Sequence, residues 1–307
     1  CDMQHMDYRA QLDAKKGFVR DCLQRIGKIE FDGEIEMISS PQPFGYRSRA
    51  RWHTDRQRRL LGYYARETHD VIDVTHCPIL TPGLQSSLEY LRESMNWDII
   101  LSDKATIEAA TGEEGRVSIH SSEADEPAAE LSFTVAGETY AFSAEVFFQA
   151  NKFLIAELID TAVGDAKGDT AVDLYSGVGL FTLPLARRFT KVIAVEDNPE
   201  SAIIAQKNID NARLDNVKLV ARSVEQFLRE NMTTQIDFLL LDPPRAGTAK
   251  SVIPAIASLK PAVISYVSCE PSILARDLRV FVDAGYKIES ITALDMFPQT
   301  HHVETVV

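Results

Sequence analysis

Residues 170–181, TAVDLYSGVGLF, decide the fold. An apolar run of strand length reaches Asp173, and a turn holding Gly177 and Gly179 leads into a helix-like segment. Glycines there let a ligand approach the backbone, as at the mouth of a doubly wound sheet. Four more apolar runs follow, KVIAVED (191–197), VKLVARS (217–223), IDFLLLD (236–242) and AVISYVSC (262–269), each trailed by a helix-sized stretch. Wholly apolar strands alternating with helices predict a parallel sheet covered on both faces. The second half of the chain is therefore expected to be α/β.

The first half has a different rhythm. From Tyr8 to Ile26 the positions Tyr8, Leu12, Phe18, Val19, Cys22 and Ile26 recur at helical spacing, which predicts an amphipathic helix with Lys15 and Lys16 mostly off the apolar stripe. Cys22 on that stripe reads as a buried structural thiol. Residues 45–66, GYRSRARWHTDRQRRLLGYYAR, carry seven arginines and one acid. Arg47, Arg49 and Arg51 alternate as one face of a strand requires, with Arg56 and Arg58 following, and Tyr46, Trp52, His53, Tyr63 and Tyr64 offer stacking planes between the guanidiniums. This pairing suits RNA, against the plainer alternative of a solvated face. Residues 121–130, SSEADEPAAE, read as an acidic loop, and LSFTV and TYAFS around Ala136 and Gly137 as a hairpin. The expected division is 1–143, strand-rich with an N-terminal helix docked on the other domain, and 144–307, catalytic.

Composition sets the outer limits. With 307 residues, 45% hydrophobic and 25% charged, the chain has the balance of a two-domain globular protein and not of a disordered one. A net charge of −13 excludes indiscriminate coating of nucleic acid, though not a local patch. No apolar run has the length of a membrane helix and the first ten residues lack a signal pattern, so a cytoplasmic, membrane-free protein is expected. Four scattered cysteines fit a reducing compartment. The chain starts at Cys1 and stops at Val307 inside an apparent strand, as though trimmed at both ends.

Strand ends carry the candidate chemistry. Glu196, at the end of the second run, can accept hydrogen bonds from a ribose, which implies a nucleoside-bearing cofactor. A third glycine is missing, which disfavours a dinucleotide and suits S-adenosylmethionine. Asp242 heads the rigid loop Asp-Pro-Pro, where a planar ring could rest. Cys269 sits just before a helix, a place that favours the thiolate and a nucleophile's role. Glu304, beside His301 and His302, is a candidate general base, and the two histidines lack a zinc ligand set.

DLYSGVGLF, LDPPRAG, VSCEP and DMFPQTHHVE in this order closely resemble the S-adenosylmethionine-dependent RNA 5-methyluridine methyltransferases. The resemblance extends to FFQAN (147–151), the arginine-rich strand, QHMDYRAQL and HCPIL, and so spans almost the whole chain. It implies a Rossmann-like class I methyltransferase domain, doubly wound with a mostly parallel sheet, joined to a smaller strand-rich α+β domain. It further implies Cys269 as nucleophile at C6 of a uridine, Glu304 as the base that removes the C5 proton, and cofactor contacts at Gln149, Tyr175, Gly177, Gly179, Glu196, Ser223 and Asp242. Leu180 stands where many members have Asn. In the rRNA branch of the family a [4Fe-4S] cluster is held by four cysteines, and Cys1 and Cys77 match the last two positions, leaving an incomplete set. The expected target leans to 23S rRNA, with tRNA as the alternative and a non-catalytic RNA-binding relative as a third reading. A monomer is expected. Amino-group methylation of a base is disfavoured, since Arg245 replaces the aromatic residue of that loop and Cys269 would have no task.

Overall fold

A computed structural model describes residues 1–98, 100, 102–123, 127–230 and 235–307. The middle of the acidic stretch, 124–126, lies outside the described residues. The chain divides into two compact units, one of Cys1–Pro41, Val135–Glu138 and Phe153–Val307, the other of Gln42–Thr134 and Thr139–Lys152. The division is discontinuous: the N-terminal segment groups with the α/β half, and the strand-rich unit runs to Lys152.

In chain order that segment supplies α1 (Tyr8–Cys22) and β1 (Ile35–Ile38). The second unit follows with β2 (Arg49–Asp55), β3 (Leu60–Tyr64), β4 (Val71–Asp73), α2 (Pro82–Ser94), β5 (Thr106–Thr111) and β6 (Val117–Ser121). The hairpin of β7 (Leu131–Val135) and β8 (Glu138–Phe142) turns through Ala136 and Gly137, both at positive φ. Then come α3 (Ile155–Val163), β9 (Gly168–Leu174), α4 (Thr182–Ala186), β10 (Phe189–Glu196), α5 (Pro199–Asn211), β11 (Val217–Ala221) and α6 (Val224–Leu228). The chain closes with β12 (Phe238–Leu241), α7 (Val252–Leu259), β13 (Val263–Ser268), α8 (Pro271–Asp283), β14 (Ile291–Leu294) and β15 (Glu304–Val306).

The α/β unit is built on an eight-stranded sheet of order β1-β14-β15-β13-β12-β9-β10-β11. The five strands read from the sequence lie side by side and parallel, β13 to β11. Their wholly apolar character follows from burial: Val172, Leu174, Val195, Leu239 and Leu241 are fully covered. Chain order reverses at β9, so the crevice beyond the carboxyl ends of β9 and β12 is the topological switch point where ligands bind in open α/β sheets. Strand β15 runs antiparallel between β13 and β14.

Helix α1 is amphipathic on a different face from the expected one. Gln11, Lys15 and Val19 are buried on α1 and Leu23 just beyond it, while Phe18 and Ile26 are 41% and 47% exposed. The i, i+4, i+8, i+12 stripe that faces the fold is half polar, and only tertiary partners for Gln11 and Lys15 make that burial tolerable. The segment is fixed on α8 by a close approach: a Cβ on Gly27 would stand 2.8 Å from the Ala275 carbonyl oxygen. Cys22 is half-buried against this core, as its apolar position predicts.

The second unit is a five-stranded antiparallel sheet, β4-β3-β2-β5-β6, packed with α2 around Trp52, Leu61, Leu84, Leu88 and Ile107. Among the described residues no helix is long and apolar enough to cross a membrane.

Candidate active site

The glycine turn after β9 is folded by left-handed backbone. Tyr175, Gly177 and Gly179 have φ of 63°, 55° and 94°. Gly177 pays no side-chain penalty for this, whereas Tyr175 is strained, as residues at functional turns often are. Nothing lies within 4 Å of where a Gly177 Cβ would stand. Its N–H donates to Glu196 Oε2 at 2.7 Å, and Asn198 N–H to Oε1 at 2.9 Å, so two backbone amides aim the carboxylate at the end of β10.

Polar atoms accumulate at this strand end without protein partners. Asp173 Oδ1, Tyr175 Oη and Ser176 Oγ are buried and have no hydrogen-bond partner among the described residues. Asp173 Oδ2 accepts from Thr182 Oγ1 at 2.5 Å. Burial outweighs that bond and, with the charge of Glu196 added, pushes the Asp173 carboxyl up to about 7. Buried groups left open in this way mark a site that a polar ligand completes. An open left-handed turn, an aimed carboxylate and unpaired hydroxyls fit a nucleoside-bearing cofactor such as S-adenosylmethionine. Ser223 caps α6, its Oγ accepting from Gln226 N–H at 3.2 Å. Gln149 belongs to the other unit, where its carbonyl accepts from Ser48 Oγ at 3.4 Å.

Beside the turn, two neighbouring strands bring Cys269 and Glu304 near one another. The antiparallel register Val267↔Val306, Ser268↔Thr305 ends one residue short of Cys269, which follows β13, while Glu304 opens β15. The two are near enough for the Glu304 charge to act on the Cys269 thiol. Each also feels Asp242 and Arg245 electrostatically. Glu304 is 3% exposed and its Oε1 has no hydrogen-bond partner among the described residues. Burial first, and then the Asp242 charge, raise the Glu304 carboxyl well above its ordinary range. Asp242, at the end of β12, is pushed up to about 7 by burial and by Asp173.

The Cys269 thiol departs from expectation. Burial, followed by the charges of Glu304 and Asp242, pushes it up to about 12, against a smaller opposing pull from Arg245. The start of α8 does not offset two carboxylates at this range, so the protein without ligands holds a neutral thiol. Arg245 meets His302 side chain to side chain. Burial and the Arg245 charge lower the His302 imidazole to about 3, which keeps it neutral beside the cation. Neither Arg245 nor His302 has a role in the sequence reading; an arginine on a strand-end loop within the crevice is the signal that points to them.

The arginine strip is only partly a surface. Strand β2 does alternate, but Tyr46 and Trp52 are 0% exposed and cannot act as stacking planes; Trp52 Nε1–H donates to Tyr63 Oη at 3.2 Å. Arg49 is turned inward, donating to the carbonyls of Ser143 (3.1 Å), Ala144 (3.0 Å) and Val146, and burial lowers it to about 10. It is not offered to a phosphate. Arg47 Nε–H donates to the Arg49 carbonyl at 2.9 Å. Arg51 is exposed beside Glu108, and Arg56 and Arg58 lie nearby on the β2–β3 turn. His53 stacks on Tyr64 with centroids 3.6 Å apart, and His69 meets Tyr64 edge-on at 5.1 Å.

Cys1 is exposed in one unit and Cys77 half-buried in the other. Among the described residues no group of three or more His, Cys, Asp or Glu could hold a metal ion. Two thiolates do not meet the demand of a four-cysteine cluster, so the residues present do not fit one.

The fold and the crevice define an S-adenosylmethionine-dependent methyltransferase. Pyrococcus abyssi tRNA (uracil-54, C5)-methyltransferase in complex with S-adenosyl-L-homocysteine superposes with a TM-score of 0.78 at 25% identity, over 99% of this chain and 84% of that one. Residues 123–307 match the tRNA (uracil-5-)-methyltransferase family, and this chain belongs to it. The 23S rRNA (uracil(1939)-C(5))-methyltransferase of Enterobacter sp. is 31% identical over all of this chain and 78% of its own length. An uncharacterized RNA methyltransferase of Synechocystis sp. is also 31% identical, over all of this chain and 79% of its own. The protein is thus an S-adenosylmethionine-dependent RNA uracil-5 methyltransferase by family.

Proposed function

We propose that this protein methylates C5 of a uridine in RNA, 23S rRNA before tRNA, through a covalent bond between Cys269 and C6. The observation that carries the reading is the neighbouring of Cys269, at the end of β13, with the buried Glu304 of the adjacent β15, whose Oε1 has no hydrogen-bond partner among the described residues. S-adenosylmethionine, when bound, supplies the electrophilic methyl group. Tyr175, Gly177, Gly179, Glu196 and Asp242 would hold it at the switch point, with Ser223 in a lesser part.

Cys269 loses its proton to solvent and its sulfur bonds to C6, which moves an electron pair to C5 and makes that carbon a nucleophile. After methylation C5 carries both a methyl group and its original proton. Glu304, as carboxylate, takes that proton; the pair left behind restores the C5–C6 double bond and expels the sulfur. Arg245, aligned by His302, opposes the negative charge of the crevice and so favours both ionised forms. A target uridine must leave its stack to present the ring face, so a loop costs less than a helix. The exposed Arg51 and Arg58 and the half-buried Arg56 would meet phosphates.

Incubation with S-adenosylmethionine and transcripts of 23S rRNA or tRNA containing 5-fluorouridine is expected to give a denaturant-stable protein–RNA adduct, because fluorine at C5 cannot leave as a proton does. Cys269→Ala is expected to abolish the adduct and to lower methylation by roughly 10³-fold or more. An adduct of undiminished yield in that variant would remove Cys269 from the mechanism. Comparing the two transcripts identifies the RNA.

A further inference from the structure

The loop that delivers Glu304 is gripped from the N-terminal segment. Strands β14 and β15 pair antiparallel, Leu294 with Glu304, and residues 295–303 bridge them. Lys15 of α1 forms an ion pair with Asp295, both side chains fully buried, and its Nζ also donates to the Phe297 carbonyl at 3.0 Å. One turn earlier, Gln11 and Gln299 are doubly joined: Gln11 Nε2–H donates to Gln299 Oε1, and Gln299 N–H to Gln11 Oε1, each at 3.0 Å. Met3 N–H donates to the Gln299 carbonyl at 3.1 Å. Gln299 has a φ of 70°, so this grip falls on the loop's strained residue.

A buried ion pair and a buried amide pair are not needed to stabilise a helix docked on a sheet. Apolar residues of similar volume serve that purpose as well or better, while polar pairs fix one arrangement among many. Here the arrangement they fix is that of a nine-residue loop ending on Glu304. We propose that Lys15 and Gln11 are positioning residues for the proton-abstraction step, holding the 295–303 loop so that the Glu304 carboxylate meets the C5 proton of the methylated adduct. The inference rests on the role given to Glu304 above.

The step it governs is separable from the others. A displaced Glu304 slows C5 deprotonation and elimination while leaving addition and methyl transfer in place, so covalent RNA accumulates. Merely loosened packing lowers every step alike and accumulates nothing. The experiment uses unmodified 23S rRNA and tRNA transcripts, S-adenosylmethionine and denaturing gels. Three proteins are compared with the parent: Gln11→Leu, the double variant Lys15→Met/Asp295→Leu, and Glu304→Gln. The double variant removes both charges together, which avoids stranding Asp295, and Gln11→Leu serves should the double variant not fold.

Both positioning variants are expected to raise the adduct fraction about tenfold and lower kcat by about the same factor, with KM for S-adenosylmethionine unchanged within about twofold. If Glu304→Gln traps adduct but the folded positioning variants turn over without it, or lose turnover and trap none, this inference is overturned alone. If Glu304→Gln itself traps none, the role of Glu304 falls and this inference with it.

Discussion

Arg49, half-buried, and Glu304, fully buried, are charged side chains drawn back from water, and they are treated in opposite ways. Every face of the Arg49 guanidinium that the fold covers meets a backbone carbonyl, three in all. Glu304 keeps an oxygen with no partner among the described residues, beside a second carboxylate that makes its charge still less welcome. A satisfied buried charge organises its surroundings; an unsatisfied one is held against its own solvation energy for a ligand or a reaction. Lys15 with Asp295 belongs to the first kind, and Asp173, whose Oδ1 has no partner among the described residues, to the second.

The contrast is sharpest in Glu304→Gln. It is expected to lower turnover by about 10²- to 10⁴-fold while leaving covalent RNA on the protein, and to raise the denaturation midpoint at pH 8, since a neutral amide replaces an ill-solvated acid. A variant that turns over normally would return Glu304 to the structural kind. Arg49→Met should do the reverse. Three carbonyls lose their donor, so a loss of about 3 kcal/mol in chemical denaturation is expected, with little direct effect on chemistry. Unchanged stability would mean that water replaces the guanidinium.

The second kind also predicts a pH dependence. Asp173 and Asp242 move from 3.8 to about 7 on folding, so the folded ligand-free protein binds protons that the unfolded chain has released. Stability from this source is complete below about pH 4 and is lost as pH rises through 7, by a few kcal/mol. Thermal melting between pH 5 and 8 should show the decline, and Asp242→Asn should flatten it; a flat parental profile would mean that the crevice is better solvated than its burial implies. The smallest effect is expected at an exposed charge. Arg51→Ala should weaken RNA binding several-fold and reduce its salt slope by about 1, with stability unchanged. An unaltered slope would leave Arg51 paired only with Glu108.

What the sequence discloses follows the same line. The five parallel strands, the hairpin at Ala136–Gly137 and the strand ends bearing Glu196, Asp242 and Cys269 were legible, because burial on both faces and glycine turns leave a periodic or chemical imprint. The inward face of α1 was not. Lys15 and Gln11 look like solvent-side residues until Asp295 and Gln299, some 280 positions away, are seen to meet them. Arg49 and Trp52 were misjudged for a related reason: Trp52 lies on the covered face of β2, and Arg49, on the open face, is claimed by the carbonyls of Ser143, Ala144 and Val146, which are distant in the chain. The thiol of Cys269 looked activated because the nearest helix end is a local feature, whereas the carboxylates that oppose it come from other strands.

The antiparallel insertion of β15 has a mechanical consequence. Cys269 follows β13 and Glu304 opens β15, so each is carried by one of two hydrogen-bonded neighbours, like the jaws of a gauge cut from one plate. The spacing of the two strands that carry them is therefore set by the sheet. On the function proposed above, a nucleotide would have to rotate, unstack and tilt until its C5–C6 edge reached both side chains.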